Sequence, residues 1–246
     1  KIGLTADTYE LDFMSGVQDA SYEDFFVDVP KWKRTKGAVF IESKNLTDNL
    51  VRLRADAYYQ KTNKDMHNRV YMPQSMRMDN YAENELGQTG VSVQSDWQIG
   101  SRHYLIAGYE FLYDDLTKAD SHYDLVPPMP VPMTIRKANE NDGYQQMHAV
   151  YLAMETALPY DVSLNYGVRY TWVKSEVSSA SGSSTQMGPG SPAMPEMQDE
   201  GAKSSSDSRP VFNFGVNWRA SDALSLRASW AQGFRVPNLM ERYIPT

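Results

Sequence analysis

The stretch Val162 to Trp172 (VSLNYGVRYTW) decides the fold class. Val162, Leu164, Tyr166, Val168, Tyr170 and Trp172 alternate with Ser163, Asn165, Gly167, Arg169 and Thr171. A period of two puts one set on each face of a strand, whereas a helix would need apolar residues three or four apart. The same code runs through 51–60, 91–99, 212–218 and 224–230, and in a blurrier form through 36–45, 103–113 and 144–158. It is weakest in 1–11. The reading is about nine strands and no convincing helix.

The connections between these strands fall into two classes. Asn45–Asn49, Gly100–Arg102, Pro159–Asp161 and Ser221–Ala223 are tight turns of Asn, Asp, Ser, Gly and Pro. Between them lie long polar segments near 12–35, 62–86, 114–142 and 175–209, which read as functional loops. Val126–Met133 is proline-stiffened, and Gly182–Ser208 is rich in Ser, Gly and Pro. Short turns at one end and long loops at the other describe a transmembrane β-barrel with periplasmic turns and extracellular loops.

Side-chain placement supports that reading. Trp97 and Trp218 lie on the apolar parity close to a short turn, while Tyr59, Tyr113, Trp172, Phe212 and Trp230 share that parity farther from their turns. Eight to twelve residues of tilted strand rise about 20–30 Å, which matches an apolar band of roughly 25 Å between two aromatic girdles. The opposite parity carries Arg52, Arg54, Asp56, Asp96, Glu110, Glu155, Arg169 and Arg227, which suits a wet or plugged lumen.

Composition is compatible and narrows the function. The mean hydropathy of −0.56 looks soluble, but alternating strands average low even inside a bilayer. The 16 tyrosines and 5 tryptophans can supply girdles. The absence of cysteine removes disulfides, thiolate metal sites and thiol nucleophiles. A net charge of −7 argues against nucleic acid as a partner. The first residue, Lys1, and the lack of a signal peptide suggest a processed or excised piece.

No enzyme signature is present, neither HExxH, GxSxG, a P-loop nor a dinucleotide fingerprint. Asn139–Gly143 lacks the carboxylate spacing of a calcium loop, and Asp114-Asp115 reads as a solvated pair. Methionine is enriched in the long segments, at Met66, Met72, Met76, Met78, Met129, Met133, Met187, Met194 and Met197, with His67 and His122 nearby. Thioether and imidazole together suit copper. Soft apolar contacts around a ligand, or compositional drift, are the preferred readings.

The chain's end carries a family resemblance. Gly233-Phe234-Arg235-Val236-Pro237-Asn238-Leu239-Met240-Glu241-Arg242-Tyr243 resembles the GFRAPNLxELY segment of TonB-dependent outer-membrane receptors, with Val236 for the usual Ala and Arg242 for the usual Leu. Asp222–Ala228, Leu46–Leu53 and Tyr104–Glu110 are similar to that family's turns and strands. The resemblance implies a 22-strand barrel in the bacterial outer membrane, with an N-terminal plug through which the TonB complex energises uptake. It also implies a scarce nutrient as cargo, such as a ferric siderophore, haem or cobalamin. Residues 1–246 are thus expected to form an internal part of that barrel, without plug or C-terminal strands.

The functional expectation is binding without catalysis and without an intrinsic cofactor. The ligand is a small-molecule metal chelate, first of all an iron chelate. Tyr71, Met72, Met76, Met78, His122, Tyr123, Met129 and Met133 are the candidate contacts in the long segments. Arg52, Arg169 and Arg227 either attract an anionic chelate or pair with lumen carboxylates or the plug, the pairing being favoured. The alternatives are a haem or copper receptor, a porin-like channel and a secreted β-sandwich binding module.

Overall fold

The computed structural model describes residues 1–73, 76–127, 134–188, 196–199, 203–239 and 241. Its strands are β1 (Ile2–Gly16), β2 (Asp24–Lys44), β3 (Leu50–Tyr71), β4 (Arg77–Ile99) and β5 (His103–Val126), then β6 (Thr134–Leu158), β7 (Val162–Met187), β8 (Glu196–Asp199), β9 (Lys203–Ser221) and β10 (Leu224–Ala231). They form one antiparallel sheet in the order β1-β2-β3-β4-β5-β6-β7-β9-β10, with the short β8 alongside β7. The nine strands on this path are the nine that alternation located. β8 falls inside the stretch read as a loop at 175–209.

All four tight turns are where the sequence puts them, and the backbone explains their composition. Asn45, Tyr160, Asp161 and Gly100 take positive φ values of 52°, 66°, 54° and 62°. Such left-handed backbone is reached readily by Gly, Asn and Asp. Tyr160 adopts it as well, at a turn tip exposed to solvent.

The other end of the sheet differs from expectation. Strands β3 to β7 run 22, 23, 24, 25 and 26 residues, although crossing a bilayer needs only about 9–11. The polar segments read as loops therefore continue the same ladder, Tyr71 pairing with Arg77 and Leu125 with Ile135. Each hairpin stands about 30 Å proud of the apolar band. Outside the band both faces are wet, so nothing forces the apolar–polar alternation by which strands are recognised. Asp114 and Asp115, read as a solvated pair, lie on opposite faces, and Asp114 accepts a hydrogen bond from Gln88 at 3.0 Å.

Cross-strand pairing shows the barrel's tilt. Trp97, Leu105, Met154, Tyr166, Phe214 and Trp230 are successive partners in one row. Trp97 is two residues from the turn end of β4, and Trp230 six from that of β10. The stagger is about 0.8 residue per strand, which at ~3.3 Å rise and ~4.8 Å spacing gives a tilt of about 30°, in the direction that closing a barrel needs.

The outward apolar residues form no core. Even on interior strands Tyr59 is 55% exposed, Leu152 50% and Val150 44%. So large an exposed apolar face needs lipid against it, and this excludes the β-sandwich reading, in which those side chains would pack inside. No helix among the described residues is long and apolar enough to cross a membrane. The strands are the crossing elements.

Candidate functional site

The lumen face is built from the polar parity of the same strands. Register places Glu42, Arg54 and Gln94 in one row, with Arg52 and Asp96 paired just below it. Arg52 Nε donates to Glu42 Oε2 at 3.0 Å and its Nη1 to Asp96 Oδ2 at 3.3 Å. Asp96 also accepts from Gln94 at 2.8 Å and from the Tyr104 hydroxyl at 3.2 Å. Arg54 grips Asp56 through two hydrogen bonds of 2.7 and 2.6 Å. Arg169 donates to Glu110 at 2.6 Å and lies 5.8 Å from the centroid of the Tyr151 ring. Arg227 donates to Asn217 Oδ1 at 2.6 Å. Arg52 and Arg169 thus pair with carboxylates in the wall, while Arg227 is held by an amide.

Three rings lie flat on this wall. Phe40, Tyr58 and Tyr151 each cover the glycine opposite, Gly3, Gly90 and Gly108. A cation sits over each ring: Arg54 at 4.6 Å from Phe40, Lys36 at 4.7 Å from Tyr58, and Arg169 over Tyr151. Glycine lets the ring pack against bare backbone, so the aromatic mass adds little thickness to the wall.

The β3–β4 hairpin is in unbroken register from Arg52↔Asp96 to Tyr71↔Arg77. His67, Arg69, Tyr71, Asp79 and Tyr81 therefore share the outer face of Leu53 and Tyr59, above the membrane. Asp79 accepts from the Tyr71 hydroxyl at 2.6 Å, from Arg69 at 2.7 Å and from His67 at 2.9 Å. Burial pushes the Asp79 carboxyl up, but the three donors outweigh it and hold it below the usual carboxylate range. Tyr81 is stacked between His67 at 4.1 Å and His122 at 4.8 Å, and Phe26 meets His67 edge-on.

These positions divide the expected ligand residues between two faces. Tyr71 and His122 are on the outer face, engaged with Asp79 and Tyr81. Met78 and Met66 have the opposite, lumen-facing parity, beside Asn68 and Asn80. Thioethers and imidazoles of this hairpin thus lie on opposite sides of the sheet, and the described residues hold no cluster of three or more His, Cys, Asp or Glu suited to a metal. Met72 and Met76 close the hairpin tip, the Met72 amide donating to the Met76 carbonyl at 2.9 Å. Tyr123 lies in β5 opposite Asn80. Met129, Met133 and Tyr243 fall outside the described residues. Asp79 escaped the sequence reading, since its three donors come from positions recognisable only once register is known.

The terminal box leaves the sheet after Ala231 and is not part of the strand. The Gln145 side chain, on the lumen face of β6, donates to Ser175 at 2.7 Å and to the Pro237 carbonyl at 3.1 Å. The box segment thus folds inward across β6 and β7. Leu239 is buried, as are Val173, Ser175 and Val177 on that face. Asn238 Oδ1 accepts from the Glu241 amide at 2.8 Å, and Glu241 Oε2 accepts from the Asn238 amide at 3.1 Å. This reciprocal pair is a capping box, readable as N-x-x-E in the sequence. Arg235 pairs with the same Glu241 carboxylate. Gly233 and Phe234 lie in the irregular backbone between Ala231 and this cap.

The sheet thus combines a lipid-facing apolar parity, a charged lumen wall, a steady stagger and an inward box. A family profile described as "TonB dependent receptor-like, beta-barrel" matches residues 6–246. The chain belongs to the TonB-dependent receptor family. None of the curated proteins compared matches it. Among solved structures, one called "Copper transporter OprC" is similar at 12% identity and a TM-score of 0.38, over 94% of this chain and 50% of that one. The chain spans about half the length of that structure.

Proposed function

We propose that the chain is part of the wall of an outer-membrane receptor that binds a ferric siderophore or similar iron chelate. Uptake would be energised by the TonB complex acting through a plug domain. The observation that carries this reading is the lumen wall. Arg52 and Arg169 pair with carboxylates of other strands, as suits a hydrated passage lined against a plug and not a sealed apolar core. Because Arg52 and Arg169 are neutralised in place, they stiffen the wall and offer little net attraction to an anionic cargo. Ligand contact falls to the lumen-facing side of the extracellular hairpins, where Met66, Asn68, Met78 and Asn80 present soft thioethers and amides. Asn68 Oδ1 is buried there without a hydrogen-bond partner among the described residues, an acceptor that a ligand donor could satisfy.

The test is uptake by cells carrying the full-length receptor under iron limitation. Accumulation of a radiolabelled ferric chelate should need both the receptor and TonB, and Met78→Asp with Asn68→Asp should weaken chelate binding. Unchanged iron accumulation without the receptor, together with a loss of copper accumulation, would replace the cargo.

A further inference from the structure

We infer that Arg34, Lys36 and Lys64 sort the cargo by charge, favouring a chelate that is net negative over a neutral one. This rests on the reading of the chain as receptor wall for an iron chelate, and it names the chemical class of chelate that the wall takes.

Lower in the lumen, Arg52 and Arg54 are matched by carboxylates of the wall. Higher up the balance changes. In the rows from Tyr58 to Lys64, the lumen face of β1–β4 holds three cations, Arg34, Lys36 and Lys64, and a single carboxylate, Asp7. Asp7 is taken by Arg34, whose Nη2 donates to it at 3.1 Å. Neither lysine has a carboxylate partner among the described residues. Each lies over a ring instead, Lys36 Nζ 4.7 Å from the Tyr58 centroid and Lys64 Nζ 4.8 Å from that of Trp32. The next carboxylate along the Lys36 row is Asp114 on β5, three strand spacings or about 14 Å away, and it accepts from Gln88.

A ring neutralises no charge. It holds a flexible ammonium in one place while leaving N–H donors for an anion. Tyr58 is itself fixed, because it lies on Gly90. The three cations occupy successive rows of β2 and β3, starting level with the upper girdle at Tyr59 and rising about 10 Å. They end directly beneath Met66 and Asn68, the soft and amide contacts of the chelate site. Farther round, the Lys36 row continues as Asp114, Gln145 and Ser175 and brings no cation. The surplus positive charge in that row thus lies on one arc of the lumen. Such an arc raises the local concentration of an anionic ligand and does nothing for a neutral one. The chemistry that fits is a metal held by anionic oxygens with negative charge left over, as in a tris-catecholate or a polycarboxylate complex. A neutral trihydroxamate complex lacks it.

The experiment measures binding to the full-length receptor in mild detergent by quenching of tryptophan fluorescence. The ferric probes are a trianionic tris-catecholate, a citrate complex and a neutral cyclic trihydroxamate. The wild type should bind at least one anionic probe more tightly than the neutral one, and the tighter of the two tells catecholate from carboxylate. Lys36→Gln with Lys64→Gln should weaken anionic binding on the order of tenfold and leave neutral binding unchanged. Raised salt should narrow the gap between wild type and variant. Lys33→Gln with Lys61→Gln removes the same charge from the outer face of these strands and should change neither. If the lumen pair does not assemble, Lys64→Gln alone should show part of the loss and Lys64→Arg should bind as wild type does. A wild type that prefers the neutral probe, lumen variants that bind the anionic probes undiminished, or an equal loss in the outer-face pair would overturn the proposal and leave chelate uptake standing. Failure of all three probes to bind the wild type would remove the iron-chelate reading and this proposal with it.

Discussion

Replacing Gly90 by alanine tests how the lumen wall is built. A Cβ at Gly90 would stand 2.1 Å from Tyr58 Cε1, 2.6 Å from Cζ and 2.9 Å from Cδ1. Ordinary carbon contacts lie near 3.5–4.0 Å, so the ring must move by about 1 Å or more, or leave its rotamer. Its present pose also carries Lys36 at 4.7 Å from the ring centroid. Overpacking of this kind costs about 1–3 kcal/mol. Exchanging glycine for alanine in a strand returns about 0.5–1 kcal/mol by itself. The net expectation is a loss of about 1–2 kcal/mol. The assay is urea unfolding of the full-length receptor in detergent, followed by tryptophan fluorescence. In a Tyr58→Ala background the clash has no partner, so Gly90→Ala should there be neutral or stabilising. Equal costs in both backgrounds would refute the ring-on-glycine account, and by extension the same account of Gly3 with Phe40 and Gly108 with Tyr151.

Three further outcomes are expected. At Gly143, where the β6–β7 register shifts, a Cβ would meet the Glu176 carbonyl at 2.5 Å and Val177 Cα at 3.0 Å. Backbone cannot swing aside, so Gly143→Ala should cost more than Gly90→Ala in the same unfolding assay. The Asp79 carboxyl is held below its ordinary value, so the stability it gives is full above the unfolded-state pKa near 3.9 and is lost as pH falls through the lower folded value. Protection from hydrogen exchange across 66–82, relative to the intrinsic rate at each pH, should therefore fall in acid below about pH 4, and Asp79→Asn should lower it at neutral pH while flattening the acid dependence. Exchange in the variant that still follows acid as in wild type would sink this. Gln145→Ala should release the inward segment and speed tryptic cleavage after Arg235, as should Glu241→Gln by breaking the cap. Unaltered cleavage in both variants would mean that these bonds do not hold the segment.

Much of this molecule was readable from its letters, and the limits are instructive. Within the bilayer a strand must show apolar atoms to lipid on every second residue, so Val162–Trp172 and its counterparts disclosed both strand and face. The turns at Gly100 and Asp161 were readable because positive φ narrows the choice of residues. Above the band that pressure ends, and hairpins such as 62–86 looked like loops. Met78 and His122 then seemed to be neighbours for one ligand, because sequence distance was the only guide. Register put them on opposite faces.

The sequence by itself determined the all-β class, the inside–outside code, the short turns and the family. Each of these is fixed by local chemistry: lipid against alternate residues, φ at a turn, and a contiguous motif. Tertiary structure alone decided that Arg52 is shared between Glu42 and Asp96, that Arg169 belongs to Glu110, and that the strands tilt by about 30°. It also decided that the terminal box folds back onto Gln145, 92 residues away in the chain. These follow from cross-strand register, which sums the stagger of every intervening strand and is written in no single segment.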